Sequence, residues 1–302
     1  MKVGTDGVLL GAWASVADVP AEDAARPLSP LYLLDIGTGT GLVALMLAQR
    51  AASGVWGRRP FAVTAVERDA AAAAQAQENV SASPWASMVT VVTADIRTWR
   101  PPAPEAGDSA PPFAFDLIAC NPPFFSDSLK GPDAARNAAR HDDTLPQDSL
   151  FRLAAAWLKP APAALNLILP ADRERSAVET AARHGLRLAR LCHVFTAPRA
   201  TSPSRVLLTF VRTDGRPLVG SPLVGSPLVG SPLVGSPLVG SPLVEQLRIY
   251  RPALSTATIP SPVSSKAQPV AETPDAMARH TAVTPPYSEA FRALVRPFYL
   301  NM

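Results

Sequence analysis

The sequence predicts an α/β fold with a doubly wound, mostly parallel sheet that ends in an antiparallel hairpin. Strand-like and helix-like segments alternate from Leu31 to Arg212, which is the pattern of successive βα units. A glycine cluster follows the first of these strands, at the kind of turn where such sheets bind ligands. Two strand-like segments then follow one another within residues 187–211, as the arms of a hairpin do.

Seven strands are predicted from apolar runs that are bounded by turn residues. They are Leu31–Ile36, Phe61–Val66, Met88–Thr93, Phe115–Cys120, Ala163–Leu169, Arg187–Phe195 and Arg205–Val211. Helices are predicted after Gly41 and over Ala70–Val80, 148–158, Asp172–His184 and Glu289–Tyr299. The helix at 148–158 has the clearest helical period of apolar residues. Pro297 should end or kink the last helix, since proline removes a helical hydrogen bond.

Composition excludes several classes of protein. The chain has 302 residues, of which 47% are hydrophobic and 18% charged, so a wholly disordered protein is excluded. The net charge of +3 permits a nucleic-acid partner without requiring one. Cys120 and Cys192 are isolated, which predicts neither a disulfide framework nor a cysteine metal site, and no metal is expected. Without a run of 18 apolar residues, we expect no transmembrane helix and no membrane partner. The isolated cysteines fit a reducing compartment, and we expect a cytoplasmic protein.

Proline and a short repeat mark the last third of the chain. Pro-Leu-Val occurs six times from Pro217 to Val244 at a period of five, as PLVGS. We interpret this repeat as an expanded surface loop rather than a docking segment, because its units lack charged and aromatic residues. Residues 251–286 are rich in Pro, Ser, Thr and Ala and are expected to be irregular. The predicted organisation is therefore an N-terminal segment 1–30, a core 31–212, an insertion 213–286 and a C-terminal helix and tail 287–302.

The glycine cluster indicates which cofactor the core binds. Gly37, Gly39 and Gly41 are spaced GxGxG, whereas the dinucleotide fingerprint is GxGxxG. Asp35, at the end of the preceding strand, would repel a pyrophosphate but can pair with an ammonium group. This combination favours S-adenosylmethionine over a nicotinamide dinucleotide.

Two further acids follow the next two strands. Glu67 ends the second strand, where a carboxylate can accept hydrogen bonds from both ribose hydroxyls. Asp95 ends the third strand, where it can accept from the adenine amino group of the cofactor. Because the carboxyl ends of parallel strands meet at one edge, we expect Asp35, Glu67 and Asp95 to face the same crevice.

The fourth strand runs into Asn121-Pro122-Pro123-Phe124. This string resembles the signature of methyltransferases that act on a planar, conjugated NH₂ group. The Asn121 side-chain oxygen and a main-chain carbonyl of the proline pair would hold the amine in an attacking geometry, and Phe124 would stack on the base. Asn121 would also border the cofactor. The motif alone leaves adenine, cytosine, guanine and a glutamine amide open.

Strings outside these motifs resemble the bacterial tRNA(Val) adenine-N(6) methyltransferase family. They are residues 1–14, Ser83–Ala86, Ser128–Asp133, Ala139–Asp142, Ser204–Leu208 and Phe298–Met302. The resemblance implies a class I methyltransferase (Rossmann-like) fold and transfer of a methyl group to the exocyclic amine of the adenine beside the anticodon. A protein-glutamine methyltransferase and a non-catalytic RNA-binding protein are the alternatives.

The resemblance also bears on tRNA binding and on the start of the chain. Lys130, Arg136, Arg140 and His141 follow the Asn-Pro-Pro-Phe motif and are candidates for contacts with tRNA phosphates. Arg199 and Arg205 flank another loop that is expected at the same rim. Family members carry a further stretch before the equivalent of Met1, so we expect a truncated, poorly active chain. A monomer is expected.

Overall fold

A computed structural model describes residues 4–16, 29–101, 115–122, 145–160, 163–213, 242–250 and 287–298. These residues form one mixed sheet with helices on both faces. The described strands are β1 Leu31–Ile36, β2 Phe61–Glu67, β3 Val89–Thr93, β4 Leu117–Cys120, β5 Ala164–Pro170, β6 Leu186–Phe195, β7 Arg205–Arg212 and β8 Leu243–Arg248. The described α-helices are α1 Thr5–Trp13, α2 Leu42–Ala52, α3 Ala70–Ser81, α4 Gln147–Trp157, α5 Glu174–Arg183 and α6 Glu289–Val295.

The strand order confirms the predicted fold class. The strands lie in the order β3-β2-β1-β4-β5-β7-β6-β8, and among them only β7 runs antiparallel to its neighbours. The order reverses between β1 and β4, which pair in parallel from Leu33 beside Leu117 to Ile36 beside Cys120. In doubly wound sheets this reversal opens a crevice at the carboxyl ends of the two strands.

The sheet has one strand more than the sequence predicts. β8 begins inside the last Pro-Leu-Val unit and pairs in parallel with β6, with Leu243 beside Arg190. It lies within residues 213–286, which were expected to form one irregular insertion. Proline at 242 is compatible with this strand because it precedes the first paired residue of an edge strand. Residues 214–241 and 251–286, where the other repeat units and the Pro-rich stretch fall, lie outside the described residues.

Alternating side chains of the strands supply two core layers. Leu33 of β1 packs with α1, α2, α3 and α6 on one face, whereas the neighbouring Leu34 packs with α4 and α5 on the other. Both side chains are fully buried. Such continuous apolar strands are expected in a sheet that is covered by helices on both faces.

The helix α1 was not assigned as an element from sequence. It buries most of its length against α2, and its glycines allow this close approach. A Cβ atom added at Gly11 would lie 2.6 Å from the Met46 sulfur and 2.9 Å from its Cβ. Gly7, one turn earlier, is nearly as close to Leu42, at 3.3 Å. No helix of the described residues is long and apolar enough to cross a membrane.

The C-terminal helix ends where its sequence predicts. The side chain of Ser288 accepts a hydrogen bond from the Phe291 amide at the start of α6. The α-helix stops at Val295, two residues before Pro297, and continues as a 3₁₀ turn over Arg296–Phe298. Phe291 and Val295 are buried in the same core layer as α1.

The topology predicts that the repeat is dispensable for folding. Arg212 at the end of β7 lies beside Leu186, and Leu243 at the start of β8 lies beside Arg190. These ends are two strand spacings and four residues apart, or about 16 Å. Deleting residues 220–239 leaves about ten linking residues, which can span about 33 Å. We expect a melting temperature within about 3 °C of the parent, because loop closure changes by only about 0.6 kcal/mol per doubling of length.

The deletion should also preserve activity. The end of β7 and the start of β8 lie at the amino-terminal end of the parallel strands, whereas the cavity is expected at the carboxyl ends of β1 and β4. A large fall in melting temperature or in tRNA affinity would instead identify the repeat as a structural or docking element.

Candidate active site

A cavity of about 420 Å³ opens at the carboxyl ends of β1, β2 and β4. Its volume lies in the range of small-molecule sites. Most of the residues that were predicted to bind a cofactor or the target amine line it: Asp35, Gly37, Gly39, Glu67, Asp95, Asn121 and Pro122. The sequence therefore identified the crevice that the sheet forms.

The turn after β1 holds its glycines in left-handed conformations. Gly37 and Gly39 have φ angles of 70° and 57° and line the cavity. Gly41, with φ of 84°, does not line the cavity and instead caps the start of α2. A Cβ atom at Gly41 would make only an ordinary contact with Ala76, so the left-handed backbone, rather than space, is what favours glycine here. Two of the three glycines thus line the cavity, and the third forms the left-handed start of α2.

Asp35 is a buried carboxyl that holds this turn in place. It is 1% exposed, and its Oδ2 accepts hydrogen bonds from the Thr38 hydroxyl at 2.5 Å and from the Ala44 amide at 3.0 Å. Burial raises the pKa of Asp35 to about 7, although these two hydrogen bonds oppose the shift. Asp35 therefore fixes the glycine turn to α2 and borders the cavity at the same time.

Glu67 is bound to the same turn from the neighbouring strand. Its Oε2 accepts from the Gly39 amide at 2.8 Å, and its Oε1 accepts from the Asp69 amide at 2.9 Å. A carboxylate oxygen can accept more than one hydrogen bond, so these contacts leave acceptor capacity toward the cavity. The backbone contacts fix the direction of the carboxylate.

Asp95 has a charged partner that the sequence analysis did not identify. Arg97 donates to both Asp95 oxygens, at 3.0 Å from Nε and 2.6 Å from a terminal nitrogen. The side-chain hydrogen bonds from Arg97 hold the pKa of Asp95 below its usual value. Arg97 also lines the cavity. The pairing of a residue with its neighbour two positions later depends on the local turn, which motif spacing does not reveal.

Asn121 carries a polar atom without a partner. Its Oδ1 is buried and has no hydrogen-bond partner within the described part of the chain. Asn121 and Pro122 line the cavity together with Cys120. Buried polar atoms are paired in most proteins, so an unpaired acceptor on a residue of the cavity wall is an indication of a ligand that donates to it.

Several predicted residues lie outside the described residues. They are Pro123, Phe124, Lys130, Arg136, Arg140 and His141. Of the other two rim arginines, Arg199 is exposed, whereas Arg205 is half-buried and donates to Asp6 of α1 at 2.9 Å. Arg205 thus has a structural partner that ties α1 to β7.

α1 also contributes to the cavity, as expected for residues 2–6 at the start of the chain, although the helix itself was not assigned from sequence. Gly4 and Gly7 line it beside the glycine turn. The available indication was the pair Gly7 and Gly11, four residues apart, which marks a small-residue face on a helix. Across the described ranges, no group of three or more His, Cys, Asp or Glu residues is placed to hold a metal ion.

The cavity fits the S-adenosylmethionine that the sequence predicts. Glycines at its floor let a ligand approach the backbone, and carboxylates at the ends of three successive strands match a ligand rich in donors. The unpaired Asn121 oxygen stands beside these groups and has the chemistry to accept from an amine.

Comparisons with known proteins identify the family to which the chain belongs. A family model described as "Methyltransferase small domain" matches residues 29–143. A Bacteroides fragilis tRNA1(Val) (adenine(37)-N6)-methyltransferase is 42% identical over 216 residues, which are 71% of this chain and 79% of that protein. A protein of the same name from Klebsiella pneumoniae is 40% identical over 215 residues, 71% of this chain and 77% of that protein.

Solved structures are more distant. The glycopeptide N-methyltransferase MtfA complexed with S-adenosyl-L-methionine has a TM-score of 0.42 at 14% identity, covering 70% of this chain and 100% of that chain. A TehB-like SAM-dependent methyltransferase from Corynebacterium glutamicum has a TM-score of 0.39 at 16% identity, covering 69% of this chain and 89% of that chain. With scores of this size, the fold assignment depends on the strand order itself.

The buried carboxyl predicts a pH-dependent stability. Since the pKa of Asp35 is raised from 3.8 to about 7 by folding, the native state binds the proton more tightly than the unfolded state. Its contribution to stability is complete below pH 3.8 and is lost as the pH rises to about 7. Asp35→Asn removes this titration while an amide oxygen still accepts from Thr38 and Ala44. The unfolding free energy of the variant minus that of the parent should therefore rise by about 2–3 kcal/mol from pH 5 to pH 8, because only the parent loses stability over this range.

Urea unfolding at both pH values measures this difference. Asp172→Asn, which alters an exposed carboxyl on the turn before α5, is the control, and its unfolding free energy should depend on pH as that of the parent does. A difference between Asp35→Asn and the parent that does not change with pH would contradict the buried, proton-binding carboxyl.

Proposed function

Because the chain belongs to the tRNA1(Val) (adenine(37)-N6)-methyltransferase family, we propose that it methylates N6 of adenine 37 in tRNA1(Val). It is a class I methyltransferase, and its cofactor is S-adenosyl-L-methionine. The single observation on the structure that supports the amine as target is the unpaired Asn121 oxygen in the cavity wall.

In our proposal, each carboxylate at the cavity binds a different group of the cofactor. Glu67 accepts from the ribose hydroxyls, Asp95 from the adenine amino group, and Asp35 faces the ammonium group. The contacts of Glu67 with Gly39 and of Asp95 with Arg97 support these roles because they hold the acceptors in fixed directions before a ligand arrives. S-adenosyl-L-methionine, when bound, supplies an electrophilic methyl group on a positively charged sulfur.

Asn121 orients the nitrogen that attacks. The lone pair of an exocyclic amine is delocalised into the base, so the free amine is a poor nucleophile. A hydrogen bond from the amine to Asn121 Oδ1 fixes the nitrogen and raises its electron density as the methyl group transfers. Leaving this acceptor unpaired costs about 1–3 kcal/mol, which the target amine offsets when it donates. Pro122 offers a main-chain carbonyl beside it, and Phe124 is proposed to stack on the base.

The residue before Asn121 is unsuited to covalent catalysis. Cys120 lies in the cavity wall, but it is 1% exposed and its burial raises the pKa of its thiol above the usual value. A neutral, enclosed thiol is a poor nucleophile. Direct in-line transfer to the amine therefore suits this site better than a cysteine intermediate.

The tRNA contacts remain part of the proposal. The target adenine must leave its stack with neighbouring bases to enter the cavity, as the bases of single-stranded loops can. Lys130, Arg136, Arg140 and His141 are proposed to meet the phosphates around it, since they follow the Asn-Pro-Pro-Phe motif along the chain. We place this activity in the cytoplasm, where tRNA is modified, and in a monomer.

Asn121→Ala tests the proposed role of the amide. We expect the rate of tRNA methylation at saturating cofactor to fall about 100-fold or more, because a positioned acceptor for the reacting amine is lost. The dissociation constant for S-adenosyl-L-methionine, measured by calorimetry, should stay within about threefold of the parent. Gln75→Ala removes an exposed amide from α3 and serves as the control. Activity of Asn121→Ala within threefold of the parent would refute the assignment.

Glu67→Ala tests the cofactor site separately. Loss of a charged acceptor for the ribose should weaken cofactor binding by about 1.5–3 kcal/mol, or roughly 10- to 150-fold. Glu78→Ala, on the exposed face of α3, should bind like the parent. Equal dissociation constants for Glu67→Ala and Glu78→Ala would reject the proposed ribose contact.

A further inference from the structure

One wall of the cavity is built by a helix whose other end is held by the strand after the repeat. Gly4 and Gly7, at the start of α1, line the cavity. Trp13, at the end of the same helix, is 2% exposed and donates from its indole nitrogen to Glu245 Oε2 of β8 at 3.1 Å. β8 is therefore connected to the cavity wall through α1.

The contact between Trp13 and Glu245 is part of a buried cluster of charges. Arg190 of β6 donates to the same Glu245 oxygen at 3.2 Å, and its guanidinium lies 4.4 Å from the centre of the Trp13 ring. The side chains of Arg190 and Glu245 are only 13% and 11% exposed. Removing one member of such a pair leaves the other charge buried and uncompensated, which costs far more than a surface ion pair.

Two arginines converge on the end of α1. Arg50 of α2 donates to the carbonyls of Gly11 and Ala14, and Arg190 donates to the Ser15 hydroxyl at 2.8 Å. Burial and the charge of Arg190 lower the pKa of Arg50 to about 9. Glu245 supplies a negative charge to Arg190, the guanidinium that opposes the charge of Arg50 in this corner.

The helix has little freedom to absorb a shift at this end. α1 has nine residues, so it is about 14 Å long, and its glycines leave no gap against α2. The Asp6–Arg205 pair holds its first turn to β7. A displacement of Trp13 therefore moves the helix as a unit or strains the packing of Gly7 against Leu42, next to the cavity.

We propose that Glu245 is a positioning residue for cofactor binding. It acts through Trp13 and α1 on the cavity wall formed by Gly4 and Gly7, and it makes the strand after the repeat a working part of the site. This inference rests on the proposed function, because the cofactor is the ligand whose affinity reports the position of the wall. The predicted effect is on binding, since Gly4 and Gly7 line the cavity, whereas Asn121, the residue proposed to act on the reacting amine, follows β4 rather than α1 or β8.

Glu245→Ala in the full chain tests the proposal. The cofactor dissociation constant, measured by calorimetry, should rise at least about fivefold, a common size for coupling between separate sites. The rate of tRNA methylation at saturating cofactor should stay within about twofold of the parent. Gln246→Ala, at the exposed neighbouring position on β8, should change neither quantity. A purely structural role for Glu245 would lower the melting temperature but leave the affinity of the folded molecules unchanged.

Trp13→Phe keeps the test decisive if Glu245→Ala fails to fold. It retains an aromatic ring in the core and removes the indole N–H that reaches Glu245, so cofactor affinity should fall in the same direction by a smaller factor. Parent-like affinity in folded Glu245→Ala, or in Trp13→Phe when the former does not fold, overturns the proposal. Failure of the proposed function is distinct from this result, because the parent chain itself would then not bind the cofactor or not methylate tRNA.

Discussion

The parallel pairing of β1 with β4 is the constraint on which the site depends. The two strands are far apart in sequence but lie side by side from Leu33 to Ile36, at the point where the strand order reverses. Their carboxyl ends therefore deliver the glycine turn and Asn121 to one crevice. β2 then adds Glu67 beside the turn through its own pairing with β1. The chemistry of the cavity follows from this strand order and from the residue that ends each strand.

The same crevice concentrates groups that are unfavourable for folding. Asp35 keeps a carboxyl almost wholly out of solvent, and Asn121 keeps an acceptor without a partner among the described residues. Each costs stability unless a ligand or a proton compensates it. Such groups are typical of functional sites, because an acceptor that the protein leaves unpaired is available to a ligand. Burial of the surrounding apolar layers, in which Leu33 and Leu34 are fully buried, stabilises the fold and offsets this unfavourable free energy.

Much of the fold was predictable because its pattern is local. The seven strands from Leu31 to Arg212 are apolar runs bounded by turns, and the helix stop before Pro297 follows from proline's missing N–H. β8 was missed because its first residues repeat a Pro-Leu-Val unit, and what makes them a strand is the edge of β6. Arg97 and Glu245 were missed for the same reason, since their partners are set by a turn and by tertiary packing. Motif residues such as Glu67 could be found because their positions relative to strand ends are local.

In the proposed function, the protein methylates the exocyclic amine of one tRNA adenine that is bound in the cavity beside Asn121. The most direct measurement treats tRNA1(Val) that lacks modification with the purified chain and S-adenosyl-L-methionine carrying an isotopically labelled methyl group, and then maps the nucleosides by mass spectrometry. We expect labelled N6-methyladenosine at position 37, and none in a transcript with guanine at that position. Label at another nucleotide or on protein glutamine, or no label despite measurable cofactor binding, would contradict it.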